Sequence, residues 1–100
     1  MYRVFYCKFR PDKQGPFKEW LRKNRKTLEE RLPDGVKLVG CYFVKEGSAE
    51  YDYEDWWELK NWKAMDDFAK AEKFHELDKI LERDCGAVFE WWRVKYLEKL

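Results

Sequence analysis

The sequence predicts an α+β fold in which a four-stranded antiparallel sheet carries both helices on one face. The chain has 100 residues, the length of one domain. Two segments with the spacing of amphipathic helices alternate with four segments rich in β-branched and aromatic residues, in the order β-α-β-β-α-β. Because right-handed crossovers place both helices on the same side of the sheet, we expect one ferredoxin-like domain over residues 1–100.

The first half of the chain is predicted to hold a strand, a helix and a second strand. Residues 2–10 are rich in aromatic and β-branched side chains, and Pro11 ends this strand. Gln14-Gly15-Pro16 opens a helix, since proline suits the first helical turn. The helix ends at Pro33-Asp34-Gly35, and residues 36–45 form the second strand.

The second half is predicted to hold a hairpin partner, an interrupted helix and the final strand. Residues 53–60 and 87–97 have strand composition. Asn61 is the predicted N-cap of the helix that begins at the next residue. The apolar stripe of this helix changes phase near residues 70–73, so we expect a kink or two short helices. Asp84-Cys85-Gly86 ends the helical region.

The charge balance argues against a nucleic-acid binder driven by bulk charge. The chain has 21 Lys and Arg against 20 Asp and Glu, which gives a net charge of +1 with His75 neutral. Neutralising phosphates requires an excess of basic side chains. No apolar run approaches the roughly 20 residues that span a bilayer, and the N-terminus lacks a secretory core. We therefore expect a cytoplasmic protein without a membrane partner.

Two further features of the composition concern the growth temperature of the source organism and the state of the cysteine thiols. Lys and Glu take the place of uncharged polar residues, which is typical of thermophile proteins. The spacings of Cys7, Cys41 and Cys85 match no metal signature, so we expect reduced, buried thiols. On these grounds we expect no metal and no cofactor.

Alternation along the strands divides the side chains between the two faces of the sheet. The face predicted to lie against the helices carries Phe5, Cys7, Phe9, Tyr53, Trp57, Leu59, Val88, Trp92, Val94 and Tyr96. The opposite face is predicted to carry Val4, Tyr6, Lys8, Trp56, Glu58, Phe89, Trp91 and Arg93. Monomers rarely expose so large an aromatic patch. We therefore expect a two-fold homodimer or higher oligomer that packs sheet on sheet and pairs Glu58 with Arg93 or Lys8.

This layout resembles the dimeric α+β barrel superfamily, in which ferredoxin-like subunits face each other sheet to sheet. The segment from Trp62 to Phe68 resembles the W-x5-F that opens the second long helix in the antibiotic-biosynthesis-monooxygenase-like branch, and Phe74-His75 is similar to a later part of that helix. The resemblance implies cofactor-independent chemistry on an apolar ligand, either monooxygenase-like or isomerase-like. Haem-degrading members use an Asn on the first strand and a His about one turn beyond His75. Residues 2–10 hold no Asn and the later position is near Asp78, which argues against haem degradation.

The candidate catalytic residues are His75, Glu58 and Arg93. Histidine exchanges a proton readily near neutral pH, so His75 is a candidate general base. The alternative is a partly exposed helix histidine without a role. Glu58 with Arg93 is a candidate acid–base or substrate-carboxylate site, and the alternative is an ion pair at an interface.

The candidate ligand-binding residues are aromatic. They are Tyr6, Trp56, Trp62 and Trp91. Neighbouring tryptophans on a strand point to opposite faces, so Trp56 and Trp91 either line an apolar pocket between the sheets or fill that space. Trp62 enters through the motif resemblance alone.

Three functions follow from these features. The first is a homodimer that binds a hydrophobic or aromatic small molecule. The second is a structural or oligomerisation module without catalysis. The third is a single-stranded RNA binder that stacks bases on the sheet aromatics, against which the near-zero net charge argues. Whether a pocket would lie between two sheets or between sheet and helices is left open.

Overall fold

The computed structural model describes residues 1–47 and 49–100 and has the predicted element order, with the second helix divided in two. The elements are β1 (Tyr2–Phe9), α1 (Gln14–Glu30), β2 (Val36–Phe43), β3 (Tyr53–Leu59), α2 (Trp62–Ala69), α3 (Glu72–Cys85) and β4 (Phe89–Leu97). The strands form one antiparallel sheet in the order β2-β3-β1-β4. The predicted ferredoxin-like topology is therefore confirmed, with β1 and β3 at the centre of the sheet.

The helical region after β3 breaks where the apolar stripe changes phase. The Asn61 side chain caps α2 by accepting a hydrogen bond of 2.9 Å from the Ala64 N–H. The helix is interrupted between Ala69 and Glu72, and Phe68 of α2 and Leu77 of α3 are both buried in the core. Gly86 ends α3 with φ of 74°, a left-handed conformation that favours glycine.

The core lies between the helices and the face of the sheet that they cover, which we call the inner face. On β1 and β3 this face carries the predicted residues Phe5, Cys7, Phe9, Tyr53, Trp57 and Leu59, together with Arg3 and Asp55. The rings of Phe17 and Tyr53 meet at 5.0 Å, and those of Trp57 and Phe68 also at 5.0 Å. Aromatic pairs of this kind hold the helices on the sheet.

Phe89 lies on the inner face, so its predicted place on the opposite face is wrong. Lys8 pairs with Trp91, but the next residue of β1, Phe9, pairs with Phe89. This bulge shifts the alternation of β4 by one residue. The Phe89 ring therefore packs 5.5 Å from Phe5 and 6.2 Å from Phe9. Strict alternation cannot anticipate such a shift.

A second register shift decides the faces of β2, which alternation left open. It falls between Leu38, which pairs with Trp57, and Gly40. Before the shift the inner-face residues have even numbers, and after it they have odd numbers. Cys41, which pairs with Asp55, is thereby brought to the inner face.

The opposite side of the sheet, which we call the outer face, carries no helix from residues 1–47 or 49–100. It holds Tyr2, Val4, Tyr6, Lys8, Glu54, Trp56, Glu58, Trp91, Arg93 and Lys95. Its aromatic side chains are half-buried because they pack on one another and close over Val4, which is fully buried. On the inner face the helices leave the β4 edge open, since Trp92 is 58% exposed and Tyr96 is 49% exposed.

The three cysteines are free thiols. Cys7 is buried, whereas Cys41 and Cys85 are only half-buried. Burial raises the pKa of Cys7 to about 12 and also raises that of Cys41, so neither forms a thiolate readily near neutral pH. No helix within the described ranges has the length and apolar character needed to cross a membrane.

Removing the cap of α2 should weaken the fold by a measurable amount. We expect Asn61→Ala to lower the free energy of unfolding by about 1 kcal/mol, because the Ala64 N–H loses its acceptor. Asn61→Asp should keep the stability, since a carboxylate oxygen can accept the same bond. Urea denaturation of both variants measures this, and equal stabilities for Asn61→Ala and the parent chain would contradict it.

Candidate functional site

A cavity of about 510 Å³ lies between the inner face of the sheet and the helices. Most of its wall is apolar and aromatic, with Phe5, Trp57, Phe74, Leu77, Leu81 and Trp92 among the lining residues. A few polar side chains also reach it, chiefly Arg3, Tyr53, Asp55, His75 and Asp78. A concave, mostly apolar space of about 300–1,000 Å³ with a few polar groups is typical of small-molecule sites.

Asp55 is the central polar group of the cavity. It lies on the inner face of β3 between Tyr53 and Trp57. The Tyr53 hydroxyl donates to Asp55 Oδ2 at 3.0 Å, and the Trp57 Nε1–H donates to Oδ1. Burial, and after it the charge of Asp55, raises the pKa of the Tyr53 hydroxyl far above its ordinary range. Tyr53 therefore keeps its proton and remains a donor. Each carboxylate oxygen still has room for another hydrogen bond.

The environment of Asp55 brings its proton exchange close to neutral pH. Loss of hydration raises the pKa of Asp55 to about 6. The hydrogen bonds from Trp57 and Tyr53 and the charge of Arg3 oppose this shift, while the charge of Asp78 adds to it. A carboxyl with this pKa inside a cavity can both accept and return a proton under physiological conditions.

His75 and Asp78 place two further ionisable groups at the cavity, both on α3. His75 Nε2 lies 2.9 Å from the Phe68 carbonyl oxygen. Since a carbonyl oxygen only accepts, Nε2 carries the proton, and Nδ1 is the basic nitrogen of the neutral ring. Burial raises the pKa of Asp78, and the charges of His75 and Arg3 partly oppose that shift.

The three candidate catalytic residues do not form one site within a chain. His75 lines the cavity, whereas Glu58 and Arg93 lie on the outer face. Glu58 of β3 pairs with Tyr2, and Arg93 of β4 pairs with Tyr6. Strand β1 therefore lies between the two charges, and they are offset by four residues along it. A role for Glu58 with Arg93 would therefore require a second chain.

The four candidate ligand-binding residues lie away from the cavity. On the outer face, the rings of Tyr6 and Trp91 are 6.0 Å apart and those of Tyr2 and Trp56 are 5.7 Å apart. Trp62 is the first residue of α2 and is 70% exposed. The structure therefore separates the outer-face aromatics from Trp62 and from the cavity.

Sequence reasoning missed Asp55 and Arg3. By strand alternation both residues fall on the inner face, next to apolar residues that were assigned to that face. A charged residue at a core-facing position contradicts the local pattern of its strand. Such contradictions are expected at functional sites, so this was the available signal.

Comparisons with known proteins identify the fold. No protein-family model matches the chain, and no curated protein matches it. An uncharacterised NIPSNAP domain protein from Burkholderia xenovorans matches with a TM-score of 0.74 and 10% identity, over 99% of this chain and 93% of that chain. A dabb family protein from Mesorhizobium loti with a ferredoxin-like fold matches with a TM-score of 0.69 and 13% identity, over 98% and 95%.

A third solved structure is described as dimeric. It is a protein of unknown function with a ferredoxin-like fold from Bacteroides fragilis, with a TM-score of 0.64 and 16% identity over 94% of this chain and 90% of that chain. These matches show that the chain has a ferredoxin-like fold.

Removing the Tyr53 hydroxyl should raise the pKa of Asp55 above its value of about 6, because one bond that stabilises the ionised carboxylate is lost. NMR titration of the Asp55 carboxyl carbon in Tyr53→Phe measures this shift. The matched control is Tyr51→Phe, whose hydroxyl donates to Glu54 instead. A midpoint that Tyr53→Phe leaves unchanged or lowers would contradict the assignment.

Proposed function

We propose that the protein binds an aromatic small molecule in the cavity between sheet and helices, where Asp55 exchanges a proton with it. The observation that carries this proposal is a half-buried carboxyl with a pKa of about 6 in the wall of an aromatic cavity. Tyr53 and Trp57 fix the orientation of that carboxyl through their hydrogen bonds. A fixed acid–base group beside an apolar wall is suited to general acid–base catalysis.

The chemistry is the movement of a proton within the bound molecule. Ionised Asp55 takes a proton from an acidic O–H, N–H or C–H bond, and the electron pair of that bond stays on the ligand. The protonated carboxyl then returns the proton to another atom of the same molecule. His75 Nδ1 is a second acceptor at the cavity wall. The overall reaction is an isomerisation, which balances without an oxidant or reductant.

Binding is tested with 2-naphthol, a neutral aromatic molecule with one acidic hydroxyl. We expect calorimetry to show binding to the parent chain and at least a tenfold loss in Leu77→Trp, because the larger ring fills the cavity. Val39→Trp is the matched control, since Val39 is 43% exposed. In the parent chain, NMR shift changes should centre on the cavity residues. Absence of binding, or equal loss in both variants, would overturn the proposal.

Proton transfer to Asp55 is tested with the same probe, because excited 2-naphthol is a strong acid. With protein in excess, we expect naphtholate emission above about pH 6, where Asp55 is ionised. As the pH falls through that value the emission should disappear, because protonated Asp55 cannot accept the proton. Between about pH 6 and 8, Asp55→Asn should still bind the probe but give much weaker naphtholate emission than the parent chain. Emission from that variant as strong as that of the parent chain would rule out Asp55 as the acceptor.

We further propose that the outer face pairs with the outer face of a second copy to form a homodimer. None of the described helices covers this face, yet it carries Tyr2, Tyr6, Trp56 and Trp91. Glu58 and Arg93 make no ion pair among the described residues, so charges of both signs are available to a second copy. A two-fold interface brings such a self-complementary surface together. The Bacteroides fragilis protein of the same fold is described as dimeric.

A charge at the centre of this face should separate the subunits. By light scattering we expect the parent chain near twice 12.4 kDa and Trp56→Lys near 12.4 kDa. Trp62→Lys makes the same change at an exposed residue outside the face and should keep the dimer mass. Circular dichroism confirms that each variant is folded. A parent chain of monomer mass would contradict the homodimer and leave the outer face free for another partner.

A further inference from the structure

We propose that the ligand of this cavity is an aromatic acid and that Arg3 binds its carboxylate. The inference rests on the proposed function, since it names the ligand class for the same cavity. It comes from the position of Arg3, from the absence of a partner for its guanidinium, and from the positions of the neighbouring carboxyl groups.

The position of Arg3 is unusual for a structural arginine. It lies on the inner face of the central strand β1, where the following inner-face residues are Phe5, Cys7 and Phe9. Its neighbour across β3 is the buried Trp57. Moving a guanidinium out of water toward such a surface is costly unless an anion meets it. A merely solvated arginine would be expected on the outer face.

The donors of Arg3 are unused within the chain. Its guanidinium carbon lies 5.0 Å from the centre of the Phe68 ring, a contact that occupies one flat side of the group. Over residues 1–47 and 49–100, Arg3 makes no ion pair and no side-chain hydrogen bond. No side-chain nitrogen of the described residues is both fully buried and unpartnered, so the Arg3 nitrogens are accessible. A guanidinium offers donors in its plane that match a carboxylate with two parallel bonds.

The carboxyl groups of the protein do not occupy this position. Because Arg3 pairs with Trp57 and Phe5 pairs with Asp55, Arg3 and Asp55 are diagonal neighbours on adjacent strands. The backbones of diagonal neighbours lie about 7–8 Å apart, and among the described residues Arg3 and Asp55 form no ion pair. Arg3 and Asp78 interact through their charges, but the described residues contain no ion pair between them. A carboxylate that contacts Arg3 must therefore come from the ligand, with its ring against the aromatic wall.

A bound anion should be coupled to a proton on Asp55. The charged and titratable groups that face Asp55 are Arg3 and Cys7 of β1, Cys41 of β2, Tyr53 of β3, and His75 and Asp78 of α3. A negative ligand adds repulsion to ionised Asp55 and so favours its protonated form. By linkage, affinity for the anion should increase as the pH falls through about 6.

The test compares 2-naphthoate with 2-naphthamide, two ligands of nearly equal shape that differ in charge. Calorimetry should show Arg3→Gln weakening 2-naphthoate binding about tenfold or more while 2-naphthamide changes less than about twofold. Arg22→Gln removes an exposed guanidinium from α1 and should change neither. In the parent chain, the Arg3 Nε–Hε NMR resonance should shift with 2-naphthoate, a measurement that does not depend on any variant folding.

The outcomes separate this inference from the proposed function. Three results would each overturn the aromatic-acid ligand: 2-naphthoate does not bind, Arg3→Gln affects both ligands equally, or the Arg3 resonance does not shift. The proposed function would still stand in each case if 2-naphthol binds. If none of the three naphthalenes binds, both proposals fail. Tighter 2-naphthoate binding at about pH 5.5 than at about pH 7.5, absent in Asp55→Asn, would support the coupling. Equal affinity at the two pH values would overturn the coupling.

Discussion

Three helical segments are too few to cover both faces of a four-stranded sheet, and most features of the molecule follow from this. All three lie on the inner face, where they bury the aromatic core. They leave space between themselves and the sheet, and that space is the cavity. In the part of the chain that the structure describes, no helix lies on the outer face, and its aromatic side chains pack on one another over Val4. The same constraint therefore produces a candidate ligand site on one side and a candidate subunit interface on the other.

The inner face combines apolar packing with two charged residues, Asp55 and Arg3, whose charges are stabilised in different ways. Asp55 loses hydration but keeps two neutral donors, so its charge is tolerated and its pKa rises to about 6. Arg3 keeps its charge beside Phe68 without a carboxylate partner in the described structure. Each residue alone is unfavourable in a core, and together they offer an acceptor and a set of donors to one bound molecule.

Local patterns predicted most of the fold because the forces that make helices and strands are local. The cap at Asn61, the break before α3 and the end at Gly86 were all readable from a few neighbouring residues. Strand parity placed the inner-face residues of β1 and β3 correctly. It placed Phe89 on the wrong face, because a bulge depends on how β4 pairs with β1 and not on β4 alone. His75 was found by residue type, and the structure places it at the cavity.

By itself the sequence determined the order of the elements and their approximate bounds. It also determined that the sheet carries more aromatic side chains than the face covered by helices can bury. These depend on periodicity and composition, which a single segment carries. The tertiary structure alone decided that the cavity lies between sheet and helices, that Glu58 and Arg93 are separated, and that Asp55 loses its water. The reason is physical: desolvation and charge proximity are set by the surfaces that pack around a residue, and those surfaces come from distant parts of the chain.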